Sequence, residues 1–251
     1  MDKHIGLALG GGAVLGAAHI GVLKALDEYD YTITHLSGTS IGSFVGALCA
    51  SGKTWQEIEE IALNLSWFKV AKLRFSKLGL MSNERLGASV QEMIGKNSFE
   101  DLHIPLYIIA ADISTGEKKV ISTGSVADAV MASTCIPGIF EPVELDGNLL
   151  VDGGVCENVP LSILRDLKVR KIIGVDLLAR HAHRRPGSIV EVLINSFAFA
   201  LSGSVKQVSK KKGITVIAPE LSEFNSVEVK QIPDLINQGY ASAVEVLKTL
   251  E

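Results

Sequence analysis

The sequence is poor in the features that mark several functional classes. It has three cysteines, Cys49, Cys135 and Cys156, far apart and without CxxC spacing. That pattern excludes a disulfide framework and a readable zinc site, and the odd count suits a reducing compartment. Positive charge is also lacking: the formal net charge is −4, and the basic clusters at 180–185 and 210–212 are short. Nucleic-acid binding is therefore not expected. Long apolar runs are scarce as well. The uncharged stretch from Ile5 to Leu23 contains Gly6, Gly10, Gly11, Gly12, Gly16 and Gly21, each of which weakens a helix by about 1 kcal/mol relative to alanine. The uncharged run 192–205 includes Asn195 and three serines and is too short to span a bilayer. Neither reads as a signal peptide or a membrane span. The expectation is a cytoplasmic protein whose contact with membranes is at most peripheral.

What the chain has in quantity is apolar content, 47% of 251 residues, and 24 glycines. That suits one domain over residues 1–251 with a sizeable core. Apolar, strand-like runs fall at 4–9, 31–38, 104–113, 170–178 and 214–220, and helical patterns at 17–29, 43–51, 125–135, 188–212 and 231–250. Residues 117–123 read as an antiparallel neighbour of 104–113, and 143–154 as a hairpin turning at Asp146 and Gly147. Residues 54–95 read as helix in pieces, with Thr54 and Ser82 as N-caps and 72–82 as an irregular connection. Continuous apolar strands alternating with helices imply an α/β protein whose mostly parallel sheet is covered on both faces.

Two strand ends carry candidate chemistry. Gly38, Ser40 and Gly42 form GxSxG, a pattern that arises by chance somewhere in so glycine-rich a chain with a probability of roughly one in five. Its context is more telling, because a tight strand-to-helix turn lifts a serine hydroxyl to the carboxyl edge of the sheet, where a helix N-terminus favours negative charge. The plainer alternative is a glycine turn with Ser40 as a helix cap. The earlier loop, "LGGGAVLG", offers successive backbone N–H groups at a helix start, an anion site in almost any fold. A dinucleotide fits it poorly: Gly10, Gly12 and Gly16 give GxGxxxG, no acid ends the next strand, and no phosphate-loop lysine follows. An oxyanion beside Ser40 is the other occupant.

A serine nucleophile needs a base, and histidine is short. His19 sits on the apolar helix after the glycine loop, where packing is its ordinary role. His181 and His183 follow Asp152, so a triad of Ser40, Asp152 and either histidine stays open. The carboxylate alternative is Asp152 itself, at the end of "NLLVDGG", although "LDGN" uses the same Asp-Gly pair as a plain turn. With a reference pKa near 4, an aspartate would need burial to raise its basicity.

Three segments in order, "GGGAVLGAAHIGVLKAL", "GTSIG" and "ASTCIPGIFEPVELDGNLLVDGGVCENVP", resemble the patatin-like phospholipase family across essentially the whole chain. The resemblance implies a three-layer α/β/α patatin-like fold and a Ser-Asp dyad that cleaves carboxylic esters of lipids or lysophospholipids. Ser40 would be the nucleophile, Asp152 the base, and the N–H groups of Gly10, Gly11 and Gly12 the oxyanion hole, with Gly38 and Gly42 shaping the elbow and neither metal nor cofactor required. One position departs from the family pattern: Leu15 stands before Gly16 where a basic residue is usual.

Overall fold

The computed structural model describes residues 2–64, 72–73, 79–82, 84–94, 98–180, 185–201 and 213–250. In chain order the strands are β1 (His4–Leu9), β2 (Thr32–Thr39), β3 (Lys72–Leu73), β4 (Gly79–Ser82), β5 (Leu106–Asp112), β6 (Lys118–Ile121), β7 (Gly138–Phe140), β8 (Val143–Leu145), β9 (Asn148–Asp152), β10 (Ile172–Val175) and β11 (Ile214–Ile217). The helices are α1 (Ala18–Glu28), α2 (Ile41–Ala50), α3 (Trp55–Asn64), α4 (Glu84–Ile94), α5 (Val126–Ser133), α6 (Leu161–Asp166), α7 (Ile189–Leu201) and α8 (Ile232–Lys248).

The fold is α/β with a mixed, mostly parallel central sheet. Strands β11, β10, β1, β2 and β5 lie side by side in parallel, while β6 and β9 join β5 antiparallel and β8 pairs with β9. Alternation along β1 explains the layers. Ile5, Leu7 and Leu9 enter the main core with residues of α1, α2 and α8, whereas Ala8 packs on the opposite face against Val159, Leu161 and Leu164. A strand buried on both faces has no polar side to display, which is why it reads as a continuous apolar run.

The 117–123 strand and the hairpin at Asp146 and Gly147 form as expected, the latter with both residues at positive φ. Thr54 caps α3 in a reciprocal box: Glu57 N–H donates to Thr54 Oγ1 (3.3 Å) and Thr54 N–H to Glu57 Oε2 (2.8 Å). Ser82 is the last residue of β4. The stretch expected to be irregular instead contributes β3 and β4 to a small second sheet, β3-β4-β7. The local partner of β4, β3, is only two residues long and its parallel partner lies far along the chain, so the local pattern announces it weakly. Of the helix expected over 188–212, residues 189–201 are α7, and 202–212 lie outside the described residues. Among the described residues, no helix is long and apolar enough to cross a membrane.

Candidate active site

Register on β5 brings two distant loops together. β6 pairs with Ile108 to Ala111, and because β2 and β9 share those partners with it, both must lie on the other edge of β5. There β2 runs parallel and ends with Thr39 opposite Ile109, while β9 runs antiparallel and ends with Asp152 opposite Ala110. Two strands thus meet head to head, and the residues at their tips, Ser40 and Asp152, share one cleft.

Ser40 occupies φ 53, ψ −129, a conformation that costs a non-glycine residue about 1–3 kcal/mol. Its side chain makes no capping bond to α2, which removes the reading of Ser40 as a simple cap. The turn is held by its backbone. Ser40 N–H donates to Ser133 Oγ (2.9 Å), and that hydroxyl donates to Ile109 O (2.6 Å). Both elbow glycines are sterically required. A Cβ on Gly38 would lie 2.6 Å from Gly42 O, and one on Gly42 would lie 2.1 Å from Leu9 O. The turn therefore presses directly on the end of β1, where the glycine loop begins.

Asp152 is fully buried at 0% exposure. Its Oδ1 accepts Gly154 N–H (2.8 Å), while Oδ2 makes no well-formed hydrogen bond. Burial pushes its pKa up to about 7, and the Ser40 hydroxyl and Gly154 N–H pull against that rise. The Ser40 hydroxyl is thus near enough to bond weakly to the carboxylate, and it leaves Oδ2 without a well-formed partner.

The N–H groups of the glycine loop differ in what they meet. Gly10 N–H is taken by Val175 O (3.1 Å), and Gly10 does not line the cleft. Gly11 N–H makes only a long bond to Asn158 O (3.4 Å), and among the described residues no acceptor takes the N–H of Gly12 or Ala13. Open donors therefore sit at Gly12 and Ala13, one residue later than the sequence places them. His19, 0% exposed on α1, donates from Nε2 to Gly10 O (2.8 Å). Burial lowers its pKa to about 4, so it stays neutral and works as a strut beneath the loop. His181 and His183 lie outside the described residues.

The open cleft has Ser40, Asp152, Asn158 and the Gly11–Ala13 backbone at one end and Ile136, Leu178, Ile194, Phe197 and Ala198 as an apolar wall. Among the described residues lining it none is basic, which suits an acyl chain better than a polyphosphate. Leu15 is fully buried in the main core and does not face the cleft. Ser133 and Asn158 fall inside the Asp-Gly-Gly block but carry no signature of their own, whereas His19, read from the sequence as a packing residue, is buried on its helix. Among the described residues no cluster of His, Cys, Asp and Glu is arranged to hold a metal.

A strained serine at a strand-to-helix corner, sharing a partly apolar cleft with a buried carboxylate, places the protein among α/β folds with a sharp serine turn at the sheet edge. The comparisons are more specific. The family model described as patatin-like phospholipase matches residues 7–165. The chain is 34% identical over 207 residues to a patatin-like phospholipase domain-containing protein of Caenorhabditis elegans, covering 79% of this chain and 15% of that one. It is 34% identical over 179 residues to an uncharacterized NTE family protein of Mycobacterium bovis, covering 70% and 49%. The fold resembles the crystal structure of VipD from Legionella pneumophila, with a TM-score of 0.67, 14% identity and coverage of 98% of this chain and 67% of that one. The chain belongs to the patatin-like phospholipase family, a family of lipid acyl hydrolases, and it spans half or less of the length of these curated relatives.

Proposed function

We propose that the chain is a serine hydrolase of lipid carboxylic esters that works through a Ser40-Asp152 dyad. What supports the reading most is the head-to-head ending of β2 and β9 on one edge of β5, which sets the serine against a buried carboxylate of raised pKa. Ser40 Oγ attacks the ester carbonyl while Asp152 Oδ2 takes its proton. The negative charge on the carbonyl oxygen is met by the N–H groups of Gly12 and Ala13, with Gly11 able to leave its long bond, and by the start of α2. Asp152 then passes the proton to the departing alkoxide, and water hydrolyses the acyl-enzyme. The apolar wall holds the acyl chain, and the substrate class is lipid or lysophospholipid esters.

The test is the initial rate on a short-chain nitrophenyl ester. Ser40→Ala and Asp152→Asn are each expected to lower kcat/KM by about a thousandfold or more, while the His181→Ala, His183→Ala double variant keeps wild-type activity. A double variant as crippled as Asp152→Asn would replace the dyad with a triad.

A further inference from the structure

Two acceptor oxygens at the cleft lack a donor: Asp152 Oδ2 and Asn158 Oδ1. Asn158 is 2% exposed and lines the cleft with Ser40 and Asp152. Its place is fixed by the glycine loop. A Cβ on Gly11 would lie 2.8 Å from Asn158 Oδ1 and 3.1 Å from Ser40 Cβ, so the amide oxygen and the serine both border the space that the bare Gly11 leaves open. The Asn158 carbonyl also accepts Gly11 N–H at 3.4 Å, which ties the two together. A buried amide oxygen without a donor is costly and calls for one during the reaction cycle.

The dyad chemistry supplies the moment. Before acylation the Ser40 hydroxyl faces Asp152. After acylation Ser40 Oγ carries no hydrogen and the proton has left with the alcohol, so both oxygens stand open as acceptors. Water brings two O–H donors to exactly two acceptors and is the second substrate. We infer that Asn158 orients the hydrolytic water of the deacylation step, accepting one O–H at Oδ1 while Asp152 Oδ2 accepts the other. The water's lone pair is then free to attack the acyl carbonyl. Asp152 takes the water proton as the new C–O bond forms and delivers it to Ser40 Oγ as the acyl bond breaks, releasing the carboxylic acid. Asn158 exchanges no proton. This inference rests on the Ser-Asp reading.

Stopped-flow kinetics with nitrophenyl butyrate separate the two steps. In Asn158→Leu and Asn158→Ala the first turnover is expected within about twofold of wild type, while steady-state turnover falls by about 10- to 100-fold. The butyryl adduct on Ser40 then accumulates and is seen by intact mass. Hydroxylamine, a stronger nucleophile that needs less orientation, raises turnover more in these variants than in wild type. Asn158→Asp keeps an acceptor oxygen and recovers part of the steady-state rate. A first turnover that falls as far as the steady state, with no adduct, assigns Asn158 to the ester instead and overturns the inference, as does equal loss in Asn158→Asp and Asn158→Leu. Failure of the dyad reading looks different, since either Ser40→Ala would still release nitrophenolate at the wild-type rate or the His181→Ala, His183→Ala double variant would lose as much rate as Asp152→Asn. Thermal melts by circular dichroism confirm that each variant compared is folded.

Discussion

Asp152 concentrates the chemistry of the site in one side chain. Burial raises its pKa from 3.8 to about 7, which makes it a better base at neutral pH than a solvated carboxylate but keeps much of it protonated below pH 7. Because only the carboxylate can accept the Ser40 proton, kcat/KM on an uncharged ester is expected to rise about tenfold per pH unit up to about pH 7 and then level off. An acid limb centred near pH 4 would show that Asp152 ionises as if solvated and would remove its role as a tuned base. Ser40 and Asp152 were legible in the sequence because each is a reactive side chain flagged by adjacent glycines. Ser133 and Asn158 were not, because the first acts on a backbone atom, Ser40 N–H, and the second shows its meaning only through an unsatisfied oxygen in the folded cleft; His19 was legible as a packing residue but not as the donor to Gly10 O. A motif records which side chains react; it says little about which ones hold the main chain still.

Among the elements, the short 3₁₀ turn at Ala13–Ala17 changes how Leu15 is understood. The family resemblance singles out this position because a basic residue is usual there. In the fold Leu15 is 0% exposed, and the next residue, Gly16, would drive a Cβ to 2.2 Å from Ile41 Cγ1. The turn is thus wedged against the first residue of α2, with Leu15 committed to packing. Leu15→Arg is therefore expected to cost about 3 kcal/mol or more in folding stability, from lost apolar burial and a poorly solvated charge. Urea unfolding measures that loss, and a gain of activity on anionic phospholipids at unchanged stability would contradict it. The same dependence on distant partners limits what the sequence revealed about elements. The strands of the central sheet and its hairpin were legible because apolar runs and turn residues are local signals. β4 was not, since one of its partners, β7, is remote in sequence and the other, β3, is only two residues long, and Ser82, which reads as a cap from its place before a helix, is the last residue of that strand.

Across the whole molecule, the buried groups flanking the glycine loop and the elbow give opposing contributions to stability. His19 has a folded pKa of about 4 against 6.5 when solvated, so the unfolded chain binds more protons between those values and stability is lost as pH falls from about 6.5 to 4. Asp152 has a folded pKa of about 7 against 3.8, so the native state binds more protons and stability is lost as pH rises from about 4 to 7. Each effect, taken alone, is on the order of 3 kcal/mol, and over the shared window they oppose each other. Single substitutions should expose the hidden slopes. Asp152→Asn removes one contribution, and its unfolding free energy in urea, relative to wild type, is expected to gain steadily from pH 4 to 7 and to exceed wild type at pH 8. His19→Gln, which keeps a donor for Gly10 O, is expected to hold its stability better than wild type as pH falls toward 4. The other titrating groups, Asp176 among them, are common to all three proteins and cancel in the comparison. Three parallel curves would mean that neither group is desolvated as its burial implies. An inactive Asp152→Asn that is more stable than wild type at pH 8 would instead identify the ionised carboxylate as a charge that the fold holds against its own stability, which is the condition a buried general base must meet.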